Sequence, residues 1–173
     1  DDDGVATRDR LLRAAVASCV EFGFDGATVV DIAARADVSA PAIYNHFGGK
    51  VELLVAAARW ELARLAPPDE SVVSAPDVVR AFLSADFLST RRLLAEIHVA
   101  AARYPEVAAL LAEWHAEQAI MWTSASGMDD DAVVKTFFAL LLGLCHIESL
   151  SALPASPSSL ERCAVALAAV LYP

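Results

Sequence analysis

Between residues 28 and 50 the chain sets out side chains suited to gripping a nucleic-acid duplex. Thr28, Ser39, Tyr44 and His46 offer hydroxyl or imidazole groups to phosphate oxygens, and Asn45 carries an amide able to hydrogen-bond a base edge. Ala40, Pro41 and Ala42 are small enough for close approach and can meet thymine methyl groups. Lys50 places a positive charge where a helix is expected to begin, and the open amides of that helix end would help it hold another phosphate.

Other chemistries find no comparable set. There is no P-loop, no dinucleotide-binding glycine pattern and no Ser/His/Asp order in a strand–turn–helix setting, so no catalytic residue is expected. Glu113 with Glu117 and the run Asp129 to Asp131 read as a solvated helix face and a helix start. Cys19, Cys145 and Cys163 are odd in number, lie in apolar helical stretches and lack CxxC spacing; Cys145 and His146 would point to different sides of a helix. Neither a metal nor a cofactor is expected, and a reducing, cytoplasmic setting fits. The opening Asp1-Asp2-Asp3-Gly4 has neither the basic nor the apolar region of an export signal, and no apolar run has the length of a membrane span.

The elements that must position the 28–50 segment are helices throughout. A period of 3.6 runs over 7–22 through Leu11, Leu12, Ala15, Val16, Cys19 and Val20, and Gly23 closes it. Two short helices follow at 29–36 and 40–47. Thr28 is expected to cap the first, with Asp31 completing a capping box, and Ser39 to cap the second, with Pro41 in its first turn. Asp37 takes the turn between them, where a left-handed backbone is expected. Ile32, Ala33, Val38, Ile43 and Phe47 face inward, and Arg35 faces solvent. Small residues at the crossing and a second helix whose leading end is free make a helix-turn-helix.

A connecting helix spans 50–65, and Pro67-Pro68-Asp69-Glu70-Ser71 breaks the chain. Helices are then expected over 76–88, 90–103, 105–123, 129–150 and 158–171, about nine in all. The domain reading is 1–49 for DNA binding, 50–66 as connector and 67–173 as a helical bundle.

Thr28, Asp31-Ile32-Ala33, Ala36, Val38-Ser39, Ile43-Tyr44, His46-Phe47, Lys50 and Leu53-Leu54 resemble the signature of the TetR family of repressors. The likeness extends upstream through Leu11-Leu12, Ala14-Ala15 and Phe22-Gly23-Phe24, covering about residues 8–58. Asp37 stands where the family commonly has Gly, and Gly49 where a small polar residue is common. The resemblance implies an all-α protein with a three-helix DNA-binding domain, a larger ligand-sensing helical domain, and a homodimer on a palindromic operator.

Charge is unevenly spread. Residues 4–59 hold six basic and six acidic groups, whereas residues 60–173 hold seven basic and fourteen acidic ones, within a net charge of −10. DNA binding must therefore rest on a few well-placed contacts, which a dimer would double.

In the second part, Phe82, Phe87, Trp114, Met121, Trp122, Phe137 and Phe138 recur on apolar helices. They read first as bundle core; the resemblance implies a ligand cavity, with His98, Gln118, Thr136 and His146 as polar candidates. Helices 129–150 and 158–171 are apolar nearly all round and call for a partner surface. Leu140, Gly143, Leu144 and Ile147, with Ala164, Leu167, Ala168 and Leu171, are the expected dimer interface. The resulting reading is a ligand-responsive repressor released from its operator by a small hydrophobic effector. The competing reading is a helical-bundle binding protein or enzyme that keeps the N-terminal fold without specific DNA binding.

Overall fold

The computed structural model describes residues 2–65, 75–126 and 131–149, together with 161–162, 164–166 and 169. The described residues contain helices and turns and no strand. Helix α1 spans Asp2–Gly26, α2 Val29–Arg35, α3 Ala40–Ile43 and α4 Lys50–Leu62, the last continued by a 3₁₀ turn at Ala63–Leu65. Beyond them come α5 (Ala75–Leu83), a 3₁₀ turn (Ala85–Phe87), α6 (Leu88–Ala101), α7 (Pro105–Ser126) and α8 (Asp131–Ser149). The described residues between 161 and 169 are helical, within the expected 158–171 element.

Three boundaries differ from the periodicity. Helix α1 starts five residues before Thr7 and runs past Gly23, where the backbone turns left-handed (φ 77°, ψ 167°) before one more helical turn. A residue with a side chain would be strained there, and its Cβ would stand 3.1 Å from a Glu96 carboxylate oxygen. Helix α3 closes at Ile43, and tighter turns carry the chain to Phe47. The helix expected over 76–88 breaks at Ser84. There the buried Arg91 donates to the carbonyls of Phe82 and Ser84, drawing off the helix-end acceptors that a continued helix would use.

The chain divides into two units. The first joins residues 1–65 with 96–111, the second 66–95 with 112–173. In the first, α1 packs on α4 and α2, and α2 packs on α3. Its core takes Leu11, Leu12, Phe24, Ile32, Ile43, Leu53 and Leu54 from the N-terminal helices and Ile97, Ala100 and Val107 from the later segment. Each large side chain so buried contributes roughly 1.5–3 kcal/mol. The second unit buries Val79, Phe82, Leu93, Leu94, Leu141, Cys145 and Ala164. Among the described residues no helix is long and apolar enough to cross a membrane, and no group of three His, Cys, Asp or Glu side chains is placed to hold a metal.

Candidate nucleic-acid interface

The site begins at Thr28, whose extended backbone turns into α2 and whose Oγ1 accepts the Asp31 amide at 3.1 Å. The other half of the expected capping box is absent because the Asp31 carboxylate is committed elsewhere. Its Oδ2 accepts the buried Ser18 hydroxyl at 2.6 Å and Nε of Arg35 at 2.9 Å. The hydrogen bond from Ser18, aided by those from Arg35 and by its charge, holds the Asp31 carboxyl below the usual carboxylate range. Arg35 also reaches Glu21 at 2.6 Å and lies 5.4 Å over the Phe22 ring. It stays exposed, as expected of a solvent-facing residue, yet it ties α2 to α1.

Asp37 occupies the turn with φ 54°, the left-handed backbone the sequence predicts. The Val38 amide donates to the Ala33 carbonyl at 3.0 Å, fixing the angle at which the chain leaves α2. Ser39 takes the N-cap position of α3, but its side chain makes no capping bond, so the hydroxyl is left exposed rather than spent on the helix. The Ser39 carbonyl accepts the Ala42 amide at 2.9 Å, with Pro41 in the first turn.

Anchor and display alternate along this segment. Ile43 is fully buried and Phe47 is 4% exposed, whereas Tyr44 is 60% exposed. Ser39, Pro41 and Asn45 are exposed, and Ala40, Ala42 and His46 half-buried. Two buried side chains thus hold a four-residue helix that could not persist alone, and they fix which way Tyr44 and Asn45 are presented.

Lys50 opens α4, as expected. Its Nζ donates to the Asp25 carbonyl at 2.7 Å. An ammonium has three donors, so this bond uses one of three. Just before α4, the Gly48 N–H donates to Oε2 of Glu52 at 2.8 Å.

One cation was overlooked in the sequence. The Arg8 guanidinium lies 5.4 Å over the Phe47 ring, at the end of the recognition segment. Its place one turn before Leu11 and Leu12 on the inner stripe of α1 was the available signal. Arg10 bonds the Thr7 hydroxyl at 3.3 Å.

Behind the segment, Asp25 is a junction. Its Oδ1 accepts the Tyr104 hydroxyl at 2.7 Å, its Oδ2 pairs with Arg103, and Phe24 lies against Tyr104 with ring centroids 4.8 Å apart. The Tyr104 hydrogen bond, followed by the Arg103 charge, lowers the Asp25 carboxyl from its ordinary value and correspondingly raises the Tyr104 hydroxyl.

The other predicted sets lie elsewhere. In the second unit Phe82 and Gln118 are buried, and Phe87, Trp114 and Phe138 half-buried; Trp114 and Phe138 come together, with His115 between them in sequence and in contact with both. His98 is half-buried in the first unit. The side chains of Met121, Trp122 and Phe137 lie outside the described residues. On α8, Leu140, Gly143, Leu144 and Ile147 are half-buried and Ala164 is buried, while Leu167, Ala168 and Leu171 are outside the described residues.

Two short helices crossed through a left-handed turn, with the second displaying its polar side, define a helix-turn-helix protein of the all-helical kind. Residues 11–57 match the family described as bacterial regulatory proteins, tetR family. A 65-residue stretch is 38% identical to the HTH-type transcriptional repressor AcnR of Corynebacterium efficiens, covering 38% of this chain and 35% of that protein's length. Two solved structures match over nearly the whole fold. One is a TetR-family member from Streptomyces coelicolor A3 (26% identity, 96% of this chain and 98% of the other, TM-score 0.75). The other is the multidrug binding protein EbrR complexed with imidazole (25% identity, 96% and 94% covered, TM-score 0.69). The family match rests on residues 11–57, and the fold is similar to those of the two solved structures over nearly its whole length.

Proposed function

We infer that this chain is a homodimeric repressor that binds a palindromic operator through residues 28–50 of each copy and releases it when a small, hydrophobic molecule enters its C-terminal helices. The observation that carries the reading is the pairing of a buried Ile43 and Phe47 with an exposed Tyr44 and Asn45, which presents one polar face at a fixed angle. Tyr44, Asn45 and the small Ala40, Pro41 and Ala42 face the major groove, while Thr28, Ser39, His46 and Lys50 hold the flanking phosphates. Arg8 joins them as a further phosphate contact.

Pairing of two copies is supported by α8, where Leu140, Gly143, Leu144 and Ile147 keep part of their surface uncovered within one chain. Half-sites then lie about one or more helical turns apart. The likeness to EbrR, a multidrug binding protein, supports a small-molecule effector. Its entry would shift α4 and alter the separation of the two recognition segments, a two-state coupling. The cytoplasm is where such a protein meets its operator.

The competing reading, a helical-bundle protein without specific DNA binding, is favoured by the even charge of residues 4–59. Selection of bound fragments from genomic DNA separates the two. A shared palindrome among the recovered fragments is the expected result; recovery of random sequence, or of nothing at low salt, overturns the repressor reading.

A further inference from the structure

Among the described residues, the buried side-chain polar atom left without a hydrogen-bond partner is Nε1 of Trp114. An indole N–H can only donate, and buried tryptophans normally find an acceptor for it. Folded proteins seldom leave such a donor unpaired, because its lost hydration is not repaid. Here the surroundings are aromatic. The His115 ring lies 5.0 Å and the Phe138 ring 6.1 Å from Trp114, and those two rings are 5.5 Å apart, all three pairs edge-on. Gln118, one turn further along the same face of α7, is buried too.

We propose that Trp114 is the hydrogen-bond donor of a binding site for a neutral aryl ligand that carries a carbonyl oxygen. The oxygen accepts the indole N–H, and the flat apolar body lies against the His115 and Phe138 rings. An anionic ligand is disfavoured, since residues 60–173 carry fourteen acidic groups against seven basic ones. The proposal rests on the small-molecule part of the function given above and supplies its chemistry: an aryl ketone, ester or amide, and not a bare hydrocarbon.

Acetophenone and ethylbenzene test it, because they share size and shape and differ in the carbonyl. The full chain is labelled with nitrogen-15, and the indole N–H resonances of Trp60, Trp114 and Trp122 are followed, with Trp114→Phe identifying the relevant one. Acetophenone is expected to bind about ten-fold tighter than ethylbenzene and to move the Trp114 resonance downfield. In Trp114→Phe the two probes should bind alike. Equal affinity for the wild-type chain, no binding of either probe, or a preference that survives Trp114→Phe each overturns the proposal. The wild-type comparison needs no variant, so a misfolded Trp114→Phe does not blur it. DNA retention is measured on the same samples. DNA binding without probe discrimination removes this proposal alone; probe discrimination without DNA binding removes the repressor reading and leaves this site standing.

Discussion

The Tyr104 hydroxyl donates to Oδ1 of Asp25 across 2.7 Å, joining residues 79 positions apart in the sequence. Asp25 follows the left-handed Gly23 by two residues and lends its own carbonyl to Lys50. The turn between α6 and α7 is thereby bound to the base of the helix-turn-helix by a carboxylate, and the same residue orients a proposed phosphate contact.

That carboxylate makes the fold sensitive to acid. Asp25 and Asp31 both have lowered folded-state values, so their contribution is present above the ordinary carboxylate pKa and is lost as pH falls through the folded one. Thermal unfolding followed by circular dichroism should show Tm falling below about pH 4. Asp25→Asn should lower Tm at neutral pH by ~2–4 °C and flatten the acid limb. An acid limb unchanged by the substitution would show that the junction contributes nothing to it.

At position 37 the backbone, not the side chain, is the constraint. Asp37 has φ 54°, a conformation that Gly adopts freely, Asp tolerates and β-branched residues resist. Asp37→Gly should leave stability unchanged or raise it by up to ~1 kcal/mol, and Asp37→Val should lower it by ~1–2 kcal/mol. Urea denaturation gives the order directly, and a Val variant as stable as Gly would contradict it.

Salt dependence separates cations that touch DNA from those that hold the protein together. Arg8→Ala and Lys50→Ala should each weaken operator binding and reduce the slope of log K against log salt by ~1. Tyr44→Ala should weaken binding too. Arg35→Ala, which removes the ties to Asp31 and Glu21, should lower Tm and leave the slope unchanged. A slope that moves with Arg35 and not with Arg8 would reverse the assignment of phosphate contacts.

Cys19 should be chemically silent. Burial, with the nearby Glu96 charge, pushes its thiol up to about 12, so almost no thiolate exists at neutral pH. Peptide mapping after iodoacetamide treatment at pH 8 should find Cys19 unmodified in the folded chain and alkylated in denaturant. Modification at equal rates in both conditions would place Cys19 in solvent.

Much of the fold was legible because helix periodicity and caps are local. Thr28, Asp37, Ile43 and Phe47 occupy the roles that their types dictate, since each is decided by neighbours within four residues. The partners of Asp31, Lys50 and Asp25 were hidden, because Ser18, Arg103 and Tyr104 lie beyond the reach of any sequence period. The capping box failed for that reason: Asp31 was suited to close it, but a buried hydroxyl from another helix bound it instead. Ser39 went the other way, keeping the position of a cap without its hydrogen bond. The break at Ser84 was equally invisible, being set by Arg91 seven residues on. Which side of α3 shows to solvent was readable from Ile43 and Phe47; which cations near it are already engaged was not.

Glu52 has one more consequence. Its carboxylate sits on the Gly48 amide, and a methyl group at residue 48 would come within 2.6 Å of that oxygen. The bare backbone at 48 is what lets that carboxylate dock, so a side chain there would push Glu52 off the amide and loosen the entry into α4.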